Sequence, residues 1–323
     1  MDFRSGIGIP GVVLAVLIAS AMCVLSLIFH PVEIQTVQYG LCLPSPDSWD
    51  INPILSWIIN FIILGAMTLL LWVINKNYNF VRTTEPALIV IFLIMVASNP
   101  FFTQAINTSM LLGLANLICI SIVFDSYSSR NATQQMFILG LVSGLGSMFQ
   151  YAFLPMAFIY FIWALFMKVM RIKETLALLI GVGCPYWIGL GSGLLRWSQF
   201  HFPSLNSLFV FGKDHSDFIF LIAGIAFAIG LGFILTLINS MKLYAGNSKV
   251  NAMNLCISAL GAGSAICVFL DFDNMLAYII TLYMTCAVQI ANICALWNPK
   301  MPWLVSVIPS IFYIMIFAGC IVF

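Results

Sequence analysis

Long apolar runs separated by short polar segments dominate the chain. A helix crosses a bilayer with about 20 apolar residues, within a range of about 17–25. On that ruler the candidate spans are residues 9–30, 52–75, 87–102, 108–125, 134–149, 150–168, 175–195, 217–239, 253–270, 274–296 and 302–322. Several ends carry local signals. Asn52 precedes Pro53, a capping residue followed by one suited to a first helical turn. Asn99-Pro100 reads as a helix stop. Residues 134–168 are too long for one crossing, so the chain turns back, and Gln150 marks the expected corner. The window 134–149 holds Gly140, Gly144 and Gly146 and reads as either spanning or re-entrant. Glycines 181, 183, 189, 191 and 193 crowd around Pro185, which predicts a kinked or broken helix.

Charge orients this array. Cytoplasmic loops are enriched in Lys and Arg. With the N-terminus inside, Arg4, Lys76, Arg82, Arg130, Lys168, Arg171, Lys173, Lys242, Lys249 and Lys300 all fall on the inner side. Only Arg196 and Lys213 fall outside, so ten of the twelve cations share one face. The first apolar run is longer than the roughly 7–15 residues of a signal-peptide core and is expected to remain as an uncleaved span. The expected fold is all-α: a polytopic transmembrane helix bundle of about 11 spans, one integral membrane domain over residues 1–323. Its N-terminus is cytoplasmic and its C-terminus extracytoplasmic.

Composition agrees. Of 323 residues, 62% are hydrophobic and 7% charged, against about 45–50% and about 25% in a soluble domain. Lipid must therefore be the solvent for most of the chain. A net charge of +1 excludes an electrostatic case for nucleic acid. Eight of the nine cysteines lie in apolar stretches, Cys42 alone sits in a polar loop, and no Cys-x-x-Cys occurs. They read as small packing residues.

Candidate chemistry gathers in the outward loops. Loop 31–51 holds Glu33, Asp47 and Asp50. Asp47 and Asp50 are three apart and would share a face on a short interfacial helix. A carboxylate there can act as a general base on an acceptor hydroxyl. The local alternatives are a turn residue for Asp47 and a favourable charge at the next helix start for Asp50. Loop 196–216 holds Arg196, His201 and Lys213, groups suited to a phosphate. A snorkelling Arg196 beside Trp197 is the structural alternative. Asp271-Phe272-Asp273 forms a tight hairpin. With His215 and Asp217 it offers ligands for a divalent cation, but turn chemistry accounts for the acids, and no metal or other cofactor is expected. Inside the spans the polar groups are neutral: Asn60, Asn116, Gln289 and Asn292. Gln289 and Asn292 share a helix face and are expected to join helices. The lack of intramembrane charge counts against ion-coupled transport.

Two resemblances add to this reading. Glu85-Pro86-Ala87-Leu88, Ala97-Ser98-Asn99-Pro100, Leu114-Ala115-Asn116-Leu117 and, above all, residues 137–149 with Leu154-Pro155 resemble an uncharacterised multi-pass inner-membrane family of Bacteroidota-type bacteria. Arg171-Ile172-Lys173-Glu174, Leu179-Ile180-Gly181 and Pro185-Tyr186 close that likeness. It implies a bacterial inner membrane and carries no activity. More loosely, the acidic first outer loop and the glycine-containing hairpin resemble C-type glycosyltransferases that use polyprenyl-phosphate sugars. That resemblance implies Asp47 or Asp50 as the base, and Arg196, His201 or Lys213 at the lipid phosphate. The adjacent acidic pair usual after the first span of such enzymes is represented here by Glu33 alone. The leading expectation is an extracytoplasmic-facing, glycosyltransferase-like enzyme acting on a lipid-linked sugar, with membrane lipids and a polyprenyl-phosphate-linked sugar as partners. The alternatives are a transporter or flippase for an uncharged substrate and a non-catalytic subunit of a cell-envelope complex.

Overall fold

A computed structural model describes residues 9–29, 40–81, 86–127, 129, 131–167, 169–201, 216–243, 248–271, 274–296 and 302–322. Their regular elements are helices: α1 (Ile9–Phe29), α2 (Pro53–Tyr78), α3 (Pro86–Ala97), the short α4 (Pro100–Thr103), α5 (Thr108–Ser126), α6 (Thr133–Phe149), α7 (Phe153–Phe166), α8 (Ile172–Gly191), α9 (Ser216–Leu243), α10 (Ser248–Leu270), α11 (Met275–Leu296) and α12 (Pro302–Val322). Apart from α4, each helix coincides with one candidate span. Seven are long and apolar enough to cross a membrane, and α3, α7 and residues 305–321 of α12 are shorter apolar helices. The chain is a multi-pass, all-helical membrane protein.

Caps set the helix ends. Asn52 accepts a hydrogen bond from the Ile54 N–H at 3.0 Å and starts α2. Asn99 does the same for Phe101 at 3.0 Å after α3 has stopped at Ala97. Asn107 accepts from Met110 at 2.9 Å and opens α5. These side chains take N–H groups that a helix start leaves without a partner. Asn79 ends α2 in the left-handed region, at φ 49°, a conformation Asn tolerates. Gln150, with φ −155° and ψ 124°, makes the corner between α6 and α7.

Helix α11 is the axis of the bundle: 94% of its apolar stretch is buried, against 28% for α1. It packs on α3, α5, α9, α10 and α12. Neutral amides and hydroxyls fasten it. Asn116 of α5 donates to Thr281 at 2.7 Å. Asn239 of α9 donates to Gln289 at 2.6 Å, and Gln289 donates to Ser258 of α10 at 2.9 Å. Asn292 donates to Asn254 at 2.7 Å. The expected joining role of Gln289 and Asn292 is met.

Two expectations resolve differently. Helix α8 is not broken at Pro185; it runs unbroken from Ile172 to Gly191. Helix α6 is likewise one unbroken helix, running in the same direction as α8. Thr133 lies by Glu174 at one end, and Ser147 bonds to Tyr186 at the other. The glycines serve this pairing. A Cβ added at Gly140 would stand 2.3 Å from the Leu178 carbonyl oxygen, and one at Gly181 would stand 2.3 Å from that of Phe137. The two backbones touch, as small-xxx-small crossings in membranes do.

None of the nine cysteines, all of them among the described residues, is in a disulfide. The bundle ends differ in charge. Lys76, Arg171, Lys173, Lys249, Asp125 and Glu174 lie at one end, and Asp47, Asp50, Arg196, His201 and Asp271 lie at the other.

Replacing Gly140 or Gly181 with Val should destabilise the protein by at least about 1–3 kcal/mol, the usual cost of overpacking. Gly183→Ala, where an added Cβ meets nothing within 4 Å, should be nearly neutral. Thermal unfolding in detergent would show equal losses for both sites if the close crossing were absent.

Candidate functional site

The cleft is built by loop 40–52 lying over the ends of α5, α6 and α11. Pro46–Ser48 form one 3₁₀ turn, closed by the Ser48 hydroxyl on the Ser45 carbonyl at 2.8 Å. The loop is tied to α6 through its backbone. Cys42 and Leu43 donate to the Met148 carbonyl at 3.2 and 2.9 Å. Gly40 is needed here, because a Cβ would stand 2.2 Å from the Phe149 carbonyl. Trp49 packs edge-on against Phe149, with ring centroids 5.8 Å apart.

This places Asp47 at the start of α5. One carboxylate oxygen accepts from the Thr108 N–H at 3.1 Å, and the other accepts a short bond from the Thr108 hydroxyl. The carboxylate complements the positive end of that helix. Asp47 is nevertheless half-buried, and desolvation raises its pKa above the ordinary carboxylate value, with the two Thr108 bonds opposing the shift.

Across the cleft stand two buried amides, Gln150 and Asn274. Gln150 donates to the Asn274 side-chain oxygen at 3.2 Å. Asn274 donates to the Tyr151 hydroxyl and, at 3.3 Å, to Asp271. Asp271 also accepts from the hydroxyls of Tyr151 at 2.8 Å and Tyr278 at 3.1 Å. A second carboxylate thus fixes the amide wall from behind. The enclosed space is about 10 Å³, room for about one water.

The other sequence candidates are distributed differently. Asp50 is exposed and lies beyond the 3₁₀ turn, which ends at Ser48. It therefore does not share a helical face with Asp47, because the intervening chain is extended. Arg196 is exposed on the neighbouring 192–201 segment, its N–H donating to Gln199 at 3.0 Å. It does not line the Asp47 cleft. His201 is exposed, and its N–H donates to the Leu41 carbonyl at 2.9 Å, joining the two loops. Glu33 and Lys213 lie outside the described residues. So do Asp273 and His215, together with the Asp217 side chain. Among the described residues no group of three or more His, Cys, Asp or Glu is placed to hold a metal ion. Asp271 instead anchors hydroxyl and amide donors. Thr108, Gln150, Tyr151, Asn274 and Tyr278 were not singled out as functional from the sequence. They are neutral, and the one available signal was the position of Gln150 at a forced corner between helices.

The chain matches no family model, no curated protein and no solved structure. Function is therefore argued from the site.

Thr108→Val keeps the backbone donor to Asp47 and removes the hydroxyl donor. It should cost about 1.5 kcal/mol, the lower range for a hydrogen bond to a charged group. It should also loosen loop 40–52, read as faster proteolytic cleavage there. Cleavage at the wild-type rate would show that the bond does not hold the loop.

Proposed function

We propose that this protein is a membrane enzyme that transfers a sugar from a polyprenyl-phosphate carrier at the extracytoplasmic face, with Asp47 as general base. The observation that carries this reading is a half-buried carboxylate of raised pKa facing two fixed amides across a closed cleft. The carboxylate accepts, and Gln150, whose bond to Asn274 uses one of its two amide N–H groups, has the other to donate. A hydroxyl does both, so such a pair of walls suits a hydroxyl-bearing acceptor. Raising a carboxylate's pKa strengthens it as a base near working pH. In the step, Asp47 takes the acceptor's hydroxyl proton. The freed oxygen forms a bond to the sugar's anomeric carbon, and the bond from that carbon to the carrier phosphate oxygen breaks. The phosphate leaves with the carrier, and Arg196 and His201 are its candidate partners, with Lys213 from the same loop. Glu33 and Asp50 are the remaining acids of the first loop and take secondary roles. Because the cleft admits only about one water, loop 40–52 lifts from α6 to admit substrate.

We read the eleven longer helices as eleven crossings in a bacterial inner membrane, with the N-terminus in the cytoplasm. Support comes from Lys76, Arg171, Lys173 and Lys249, which sit at the end opposite Asp47. Alkaline phosphatase fused after residue 50 or 201 should be active, and after residue 81 or 170 inactive. The reverse pattern would invert the topology and move the cleft to the cytoplasmic side.

The activity is tested by mass spectrometry of lipid extracts. Cells lacking the gene, or carrying Asp47→Asn, should accumulate a polyprenyl-phosphate sugar, and the wild-type gene should clear it. Asn can still accept from Thr108, so the loop stays docked while the base is lost, lowering the transfer rate about 10²–10⁴-fold. An unchanged lipid-linked pool would remove the enzyme reading. Full complementation by Asp47→Asn would remove Asp47 from it.

The raised pKa of Asp47 fixes a sign. A base works only when deprotonated, so activity falls as pH drops through its folded-state pKa. The acid limb should therefore lie at higher pH than an ordinary carboxylate's, and Thr108→Val should move it higher still. A limb that does not respond to Thr108→Val would belong to another group.

A further inference from the structure

A second cavity lies between α9, α10 and α11. It encloses about 110 Å³, somewhat less than the roughly 150 Å³ apolar cavity known to take up benzene. Gly232, Ala262 and Ala265 on its walls leave the slot open, while Gly261 lets α10 approach α11, an added Cβ there standing 2.7 Å from the Thr285 hydroxyl. All these residues lie near the middle of their helices, at the depth of the hydrocarbon core.

The slot opens sideways. Phe233 and Ala262 line it and are exposed. Around them Ile234 and Ile266 are each 56% exposed, forming an apolar face at the same depth. The space is therefore continuous with the acyl region of the membrane.

Of the polar side chains Thr236, Ser258, Thr285 and Gln289 that line the slot, the last three are engaged. Gln289 donates to Ser258 at 2.9 Å and accepts from Asn239 at 2.6 Å. Ser258 donates to the Asn254 carbonyl at 2.9 Å. Thr285 donates to the Leu282 carbonyl at 2.9 Å. A polar solute entering here would lose water and gain few partners. A hydrocarbon chain loses nothing, and it restores the dispersion contacts that the lining lacks while empty. The narrow, small-residue walls suit an unbranched chain.

We propose that this cavity binds one acyl chain of a bilayer phospholipid, inserted from the side between α9 and α10. This site stands without the reading given to the Asp47 cleft.

The test uses the full chain in phosphatidylethanolamine vesicles doped with a phospholipid that carries a diazirine halfway along one acyl chain. After irradiation, labelled residues are located by peptide mass spectrometry. Labelling at Phe233, Thr236 and Ala262 should exceed that at Ile180 and Ile188 by at least about threefold. The latter two are lipid-facing residues of α8, 62% and 60% exposed. Gly232→Leu and Ala262→Leu fill the slot. Gly232 has room for this, since a Cβ there meets nothing nearer than 3.9 Å. Each should bring α9–α10 labelling down to the α8 level while α8 labelling stays constant. Equal labelling of the two regions in the wild-type protein would overturn the proposal. So would enrichment that survives both filling variants. If a filling variant loses α8 labelling as well, the wild-type ratio decides alone.

Discussion

Hydrocarbon offers no hydrogen bonds, so every backbone N–H and C=O within it must find a partner inside the protein. Helices meet that demand along their length and fail it at their ends, where the first N–H groups have no partner. The rest of this structure follows from where those ends fall. Asn52, Asn99 and Asn107 stand at three of them, each giving its side-chain oxygen to a backbone N–H. Asp47 takes one more at Thr108 from a distant loop. A helix start that loses its water takes whatever acceptor the fold supplies, and at α5 that acceptor is charged.

A buried charge needs partners or it neutralises. Asp271 holds the Tyr151 and Tyr278 hydroxyls and the Asn274 amide, whereas Asp47 is held by the Thr108 hydroxyl and by backbone N–H groups. Asp271 is committed to holding Tyr151, Asn274 and Tyr278. Asp47 borders the cleft, and desolvation raises its pKa despite its hydrogen bonds. The same logic explains why the core amides are not sites. Asn116, Asn254, Gln289 and Asn292 bond to one another or to hydroxyls across α5, α9, α10 and α11. They fasten α11 in place and offer little to a ligand.

The architecture was largely legible because the period and length of apolar runs are local properties. The forced corner at Gln150 and the caps at Asn52 and Asn99 were readable for the same reason. Of the kinked or broken helix expected around Pro185, the broken alternative does not occur, because proline in a helix removes a hydrogen bond but does not by itself end the helix. Helix α8 continues through Pro185 while its Gly181 packs against α6. The site was legible only in part. Asp47 carries a charge in a polar loop and draws notice. Gln150 and Asn274 are uncharged, lie 124 residues apart, and become a wall only when α6 and α11 end side by side.

By itself the sequence determined that lipid is the solvent, where the helices lie, and which end of the bundle gathers the acids, because hydropathy and charge act residue by residue. The tertiary structure alone decided that Asp47 is desolvated while Asp50 is exposed, and that Arg196 stands away from the cleft. It alone decided that a slot stays open between α9, α10 and α11. These depend on distances between segments far apart in the chain, and burial and partnering, which set a carboxylate's chemistry, exist only once those segments meet.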